Sequence, residues 1–104
     1  MITAIVQFKV PEDLSVERAK KNFEEIAKAF LDTPGLVRKY FIISDDHIGG
    51  GVYLWETREQ AEALYNGPVW STRIRENYGV DPEITWFHCP VIAETALKEI
   101  RTSV

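Results

Sequence analysis

Apolar positions recur along this chain with two different periods. Over Met1 to Val10 they alternate: Ile2, Ala4, Val6 and Phe8 line one side and Thr3, Ile5, Gln7 and Lys9 the other, which predicts a first strand ending at Pro11. After Ser15 the step lengthens to three and four, through Val16, Ala19, Phe23, Ile26, Ala27, Phe30 and Leu31. That spacing predicts an amphipathic helix capped by Ser15 and stopped by Thr33-Pro34-Gly35. Leu36 to Ser44 and Gly50 to Glu56, both rich in aromatic and β-branched residues, flank Asp45-Asp46-His47 and read as a β-hairpin. Thr57-Arg58-Glu59-Gln60 has the capping-box pattern for a second helix carrying Ala61, Leu64 and Tyr65. Asn66-Gly67 interrupts it and Pro68 reopens it through Val69, Trp70, Ile74 and Tyr78 to Gly79, so one broken helix is expected. Ile84 to Cys89 predicts a fourth strand, with Ile84, Trp86 and His88 on one face and Thr85, Phe87 and Cys89 on the other. The tail from Glu94 to Val104 reads as a short helix, fraying at Thr102-Ser103-Val104.

The order β, α, β, β, α, β is that of an α+β, ferredoxin-like antiparallel sheet with helices over one face. A sheet with water on its other face should be polar there. Here Tyr40 and Ile42 oppose Phe41 and Ile43, and Val52 and Leu54 oppose Tyr53 and Trp55, so both faces read as buried. A second copy of the chain is the natural second cover, and a homodimer is expected.

Composition narrows the picture. At 104 residues and 45% hydrophobic content, a single domain over residues 1–104 is expected. The net charge of −4 and the scattered basic residues argue against nucleic acid as a partner. Lys20-Lys21 and Arg38-Lys39 are the adjacent basic pairs, and they read as solvated surface charge. No run approaches the ~20 apolar residues that span a bilayer, and no basic region precedes the first apolar run. With a lone cysteine, Cys89, a cytoplasmic protein without a membrane partner is expected. Cys89 itself reads as a small buried hydrophobe. Asp45-Asp46-His47 is a turn instead of a metal site, since consecutive residues do not converge on one ion. Gly49-Gly50-Gly51 enters a strand and lacks a following Lys-Ser or Lys-Thr. It reads as room for a bulge, a ligand or a neighbouring backbone instead of a phosphate loop.

Three segments carry a family resemblance: Gly35-Leu36-Val37-Arg38-Lys39-Tyr40, Gly49-Gly50-Gly51-Val52-Tyr53-Leu54-Trp55-Glu56 and Thr85-Trp86-Phe87-His88-Cys89-Pro90. Through them the chain resembles the YdhR-type monooxygenases, antibiotic-biosynthesis-monooxygenase-like members of the dimeric α+β barrel superfamily. The resemblance implies a dimeric barrel and the oxygenation of a small aromatic phenol or quinol by dioxygen without flavin, haem or metal, so no cofactor is expected. It is physically coherent: a deprotonated quinol can itself reduce dioxygen, and the protein need only favour the anion, exclude water and hold the ring. The superfamily also contains haem-degrading enzymes and non-catalytic ligand binders. A dimeric small-molecule-binding or stress-response protein and a haem-binding one are therefore the alternatives.

His88, in a strand beside Trp86, is the candidate for proton transfer, because histidine titrates near neutrality without a large shift. Its other reading is a hydrogen bond at a dimer interface. Tyr40, Tyr53 and Trp55 on the hairpin are candidates to stack on an aromatic ligand, or are plain core. Trp70 and Arg73, three apart on the second helix, are placed to close a cavity over the sheet, with Arg73 either stabilising a phenolate or lying at the surface. Tyr65 and Trp86 complete the candidate aromatic set.

Overall fold

The structure, a computed structural model, describes residues 1–102. Its elements are β1 (Ile2–Lys9), α1 (Val16–Ala27), β2 (Leu36–Ile43), β3 (Ile48–Trp55), α2 (Arg58–Tyr65), α3 (Trp70–Tyr78), β4 (Glu83–His88), β5 (Val91–Glu94) and β6 (Glu99–Thr102). Strands β1 to β4 form an antiparallel sheet in the order β2-β3-β1-β4, the ferredoxin-like arrangement expected from the element order. Local chemistry sets the helix boundaries. The Ser15 hydroxyl accepts from the Arg18 N–H at 3.2 Å and Thr57 accepts from the Gln60 N–H at 3.2 Å, so each cap satisfies a donor that the first turn leaves open. Gly79, at φ +71°, ends α3 in the left-handed conformation that glycine adopts without penalty. The expected broken helix is two separate helices, because Gly67 and Pro68 part them.

Register decides which side chains share a face. Lys39, Tyr53, Ala4 and Trp86 form one row across the sheet, and Phe41, Gly51, Val6 and Ile84 the next. Both rows face the helices. Ala4, Val6, Tyr53 and Trp55 are buried there, and Phe30, just after α1, packs edge-on against Phe41 and Tyr53. Between Leu36 and Arg38 the pairing shifts, β2 carrying one residue more than β3. Gly50, at φ +153°, passes so close to β1 that any Cβ would collide with the Val6 carbonyl, the close backbone approach that the glycine run suggests.

The opposite face bears Ile5, Ile42, Val52 and Leu54, which are half-buried, and Tyr40 and Phe87 on it are 56% and 50% exposed. The tail differs from expectation. Instead of a helix, β5 and β6 pair as a hairpin from Val91↔Thr102 to Glu94↔Glu99, reversed by a 3₁₀ turn at Thr95–Leu97. A helix this short is marginal unless an apolar face packs it down, and here Leu97 and Ile100 stay exposed instead of packing against the domain. Ser103 and Val104, where fraying was expected, lie outside the described residues. Among the described residues no helix is long and apolar enough to cross a membrane.

Candidate functional site

A cavity of about 520 Å³ lies between the sheet and the helices, within the ordinary range for small-molecule sites. Val6, Phe41, Gly51 and Tyr53 form its floor, Phe23 and Phe30 one wall, and Trp70 and Ile74 of α3 the other. The exposed side chains Arg73, Glu76 and Asn77 mark its mouth, between α1 and α3. The wall is therefore aromatic and the entrance polar.

The aromatic residues are locked by hydrogen bonds. The Trp70 indole N–H donates to the Tyr53 hydroxyl at 3.3 Å, and the Trp55 indole N–H donates to the Tyr65 hydroxyl at 3.1 Å. Tyr53 and Trp55 stack, at 6.0 Å and 5° between rings, while Tyr65 stands edge-on to both. Burial pushes both tyrosines above the usual phenol range, partly offset by the indole N–H each accepts. Both phenols are neutral at physiological pH and keep a hydroxyl for hydrogen bonding.

One charge enters this apolar space. The Lys39 ammonium nitrogen lies 3.7 Å from the centre of the Phe30 ring, 3.8 Å from that of Phe41 and 4.5 Å from that of Tyr53. Burial lowers its pKa from 10.5 to about 7. Gly51 makes room for it, since a Cβ there would stand 2.8 Å from Lys39 Cε and 2.9 Å from Tyr53 Cε1.

The candidates chosen from the sequence are therefore distributed over different environments. Tyr53, Trp70 and Arg73 line the cavity. Trp55, Tyr65 and Trp86 form packed core beside it: Trp55 is fully buried, and the Trp86 ring is held between Tyr65 and the Arg58 guanidinium, whose carbon is 4.2 Å from the ring centre. Tyr40 pairs with Val52 on the open face, where the register keeps it away from Tyr53; there its hydroxyl accepts from Arg38 at 3.5 Å. His88 pairs with Ile2 at the end of β4, is exposed, and lines no part of the cavity. Lys39 is the residue that sequence reasoning missed. Arg38-Lys39 read as solvated charge, whereas the two side chains diverge, Arg38 to the open face and Lys39 inward. The available signal was Gly51, whose missing side chain leaves space beside the position facing Tyr53. Cys89 is half-buried, its sulfur 2.7 Å from the Thr3 hydroxyl. No cluster of metal-ligating side chains occurs among the described residues.

A family profile described as "Putative mono-oxygenase ydhR" matches residues 5–100. The chain belongs to this family. Solved structures extend the comparison at the level of fold. The monooxygenase from the gene ActVA-Orf6 of Streptomyces coelicolor, in complex with nanaomycin D, superposes with a TM-score of 0.63 at 14% identity, covering 85% of this chain and 86% of that one. SnoaB of Streptomyces nogalater, a cofactor-independent oxygenase, gives 0.61 at 18% identity, covering 85% and 91%. A haem-degrading protein of Mycobacterium tuberculosis gives 0.56 at 22% identity, covering 83% and 87%. No curated protein matches the sequence. Members of the ydhR family thus share their scaffold with proteins of differing chemistry.

Proposed function

We propose that this protein oxygenates a small aromatic phenol or quinol with dioxygen, without a cofactor, inside the cavity between sheet and helices. The observation that carries the reading is the aromatic enclosure itself: Tyr53, Trp70, Phe30 and Phe41 surround a volume suited to a two- or three-ring substrate. Family membership and the oxygenases among its structural neighbours support it. In this reading the ring lies between Tyr53 and Trp70, whose hydrogen bond holds both at fixed orientation. The ionised substrate passes an electron to dioxygen. A ring C–H becomes a carbonyl, and the second oxygen atom leaves as water with two substrate hydrogens, so the substrate supplies all the electrons. The protein's part is to hold the ring and exclude water. Arg73 at the mouth is the cationic group that an entering substrate meets. His88 lies outside the cavity and receives no proton-transfer role.

The test is oxygen consumption with 1,5-dihydroxynaphthalene and anthrone. Uptake should exceed the protein-free rate and fall roughly 10²-fold in Trp70→Ala, with Trp70→Phe as the milder variant that keeps the ring but removes the donor to Tyr53. Binding without uptake, the compound recovered unchanged, would instead identify a non-catalytic aromatic-binding protein.

We further infer that the open sheet face is covered by a second copy of this chain. Ile5, Ile42, Val52 and Leu54 on that face, flanked by the exposed Tyr40 and Phe87, support a homodimer joined sheet to sheet.

A further inference from the structure

Lys39 is held in the cavity at a cost that nothing around it removes. Among the described residues it has no hydrogen bond or ion pair, only the faces of Phe30, Phe41 and Tyr53. Aromatic faces attract a cation but supply no counter-charge. The other charged residues lining the cavity, Arg73 and Glu76, are exposed at its mouth, and its other titratable groups are the phenols of Tyr53 and Tyr78. A strand lysine ordinarily turns outward or carries its ammonium to solvent. This one is kept inside by the space at Gly51, next to the cavity. A half-buried cation with no protein counter-charge, facing a ring-lined cavity, is one half of an ion pair.

We propose that the cavity is a binding site for an aromatic oxyanion, an ionised phenol or an aromatic carboxylate, whose charge is met by the Lys39 ammonium while its ring lies against Tyr53 and Trp70. This rests on the reading that the cavity takes a small aromatic and adds what fixes its charge and orientation. A carboxylate arrives already ionised and pairs with the protonated lysine. A phenol arrives neutral: its O–H bond breaks, the proton forms a new N–H bond at Lys39 Nζ, and an ammonium–phenolate pair remains with no net charge added to the cavity. The pKa of about 7 leaves the amine partly unprotonated at neutral pH and able to accept that proton.

Calorimetric titration with 2-naphthoate and with 2-naphthylmethanol, its near-isosteric neutral counterpart, tests this directly. The native protein should bind the anion at least about ten-fold more tightly. Lys39→Met should bind both ligands alike, as should Lys39→Gln, and Lys39→Arg should keep part of the preference. In a second arm, 1-naphthol bound at pH 8 should show the naphtholate absorption band with the native protein and not with Lys39→Met, separating the phenol from the carboxylate as the preferred source of the oxyanion. Equal affinity for anion and neutral ligand in the native protein, or a preference that survives in Lys39→Met, overturns the proposal and leaves the oxygenase reading untouched. A Lys39-dependent preference without oxygen uptake overturns the oxygenase reading alone. If neither ligand binds, this proposal falls, and oxygen uptake alone decides the oxygenase reading.

Discussion

At the scale of single residues, Lys39 separates binding from stability. Its pKa of about 7 lies below the ordinary 10.5, so between these values the unfolded chain holds a proton that the folded chain has released. Stability therefore rises with pH across that window and is lowest below it, where the folded protein carries the half-buried charge. Tyr53 and Tyr65 have the opposite sign. Their raised pKa values mean that the unfolded chain loses its phenol protons first, and stability falls again above about pH 10. Urea midpoints measured between about pH 7 and pH 9 should thus climb for the native protein and stay level for Lys39→Met. Lys39→Met should also be the more stable of the two at pH 7, because an apolar side chain replaces a half-buried cation that has no counter-charge among the described residues. A lower midpoint for this variant would show that Lys39 supports the fold instead of burdening it. The sequence reveals the apolar partners of this lysine but not the lysine. Alternation places Lys39 and Tyr40 on opposite faces of β2, and only the pairing with β3 tells which faces inward.

At the scale of elements, the strands and helices were legible because their signals are local: Ser15 and Thr57 at the caps, Pro11 and Pro34 at the breaks, and Gly79 at the end of α3. Ser15→Ala should lower stability by about 1 kcal/mol in chemical denaturation, as loss of a helix cap does. Gly50→Ala should do far more. The strained φ alone accounts for on the order of 1–3 kcal/mol, and the collision with the Val6 carbonyl adds to it. A thermal melt indistinguishable from that of the native protein would contradict the tight approach of β1 and β3. What stayed hidden was the tail. Val91 to Thr102 lacks a clear period, and its hairpin is fixed by a left-handed Lys98, φ +52°, which no residue-level pattern announces. The cavity was likewise half visible. Trp70 and Tyr53 carry helix and strand signals, but their meeting across the interior depends on how α3 lies over the sheet.

At the scale of the whole molecule, the chain is more extended than its length requires. Its radius of gyration is 14.4 Å, against roughly 13 Å for a compact domain of this size. The β5–β6 hairpin bears the exposed side chains of Val91, Leu97 and Ile100, and the Arg38–Glu94 ion pair at 3.5 Å ties it to the sheet. With Tyr40 and Phe87 of the sheet also exposed, these side chains are the surface that the proposed second copy would cover. Light scattering should give the mass of a dimer at micromolar concentration, and Phe87→Glu or Tyr40→Glu should halve it. A native protein already monomeric under those conditions would remove the sheet-to-sheet interface.

The extra residue in β2 between Leu36 and Arg38 decides which side chains each face of the sheet presents. Strict alternation from Leu36 through Val37 would send Arg38, Tyr40 and Ile42 toward the helices and turn Lys39 and Phe41 outward. The bulge is thus a parity switch. It lets Leu36 and Lys39, an odd number of residues apart, face the same side of the sheet. Deleting Val37 should therefore straighten the strand yet leave Lys39 inward and Tyr40 outward, since Arg38 then follows Leu36 in ordinary alternation.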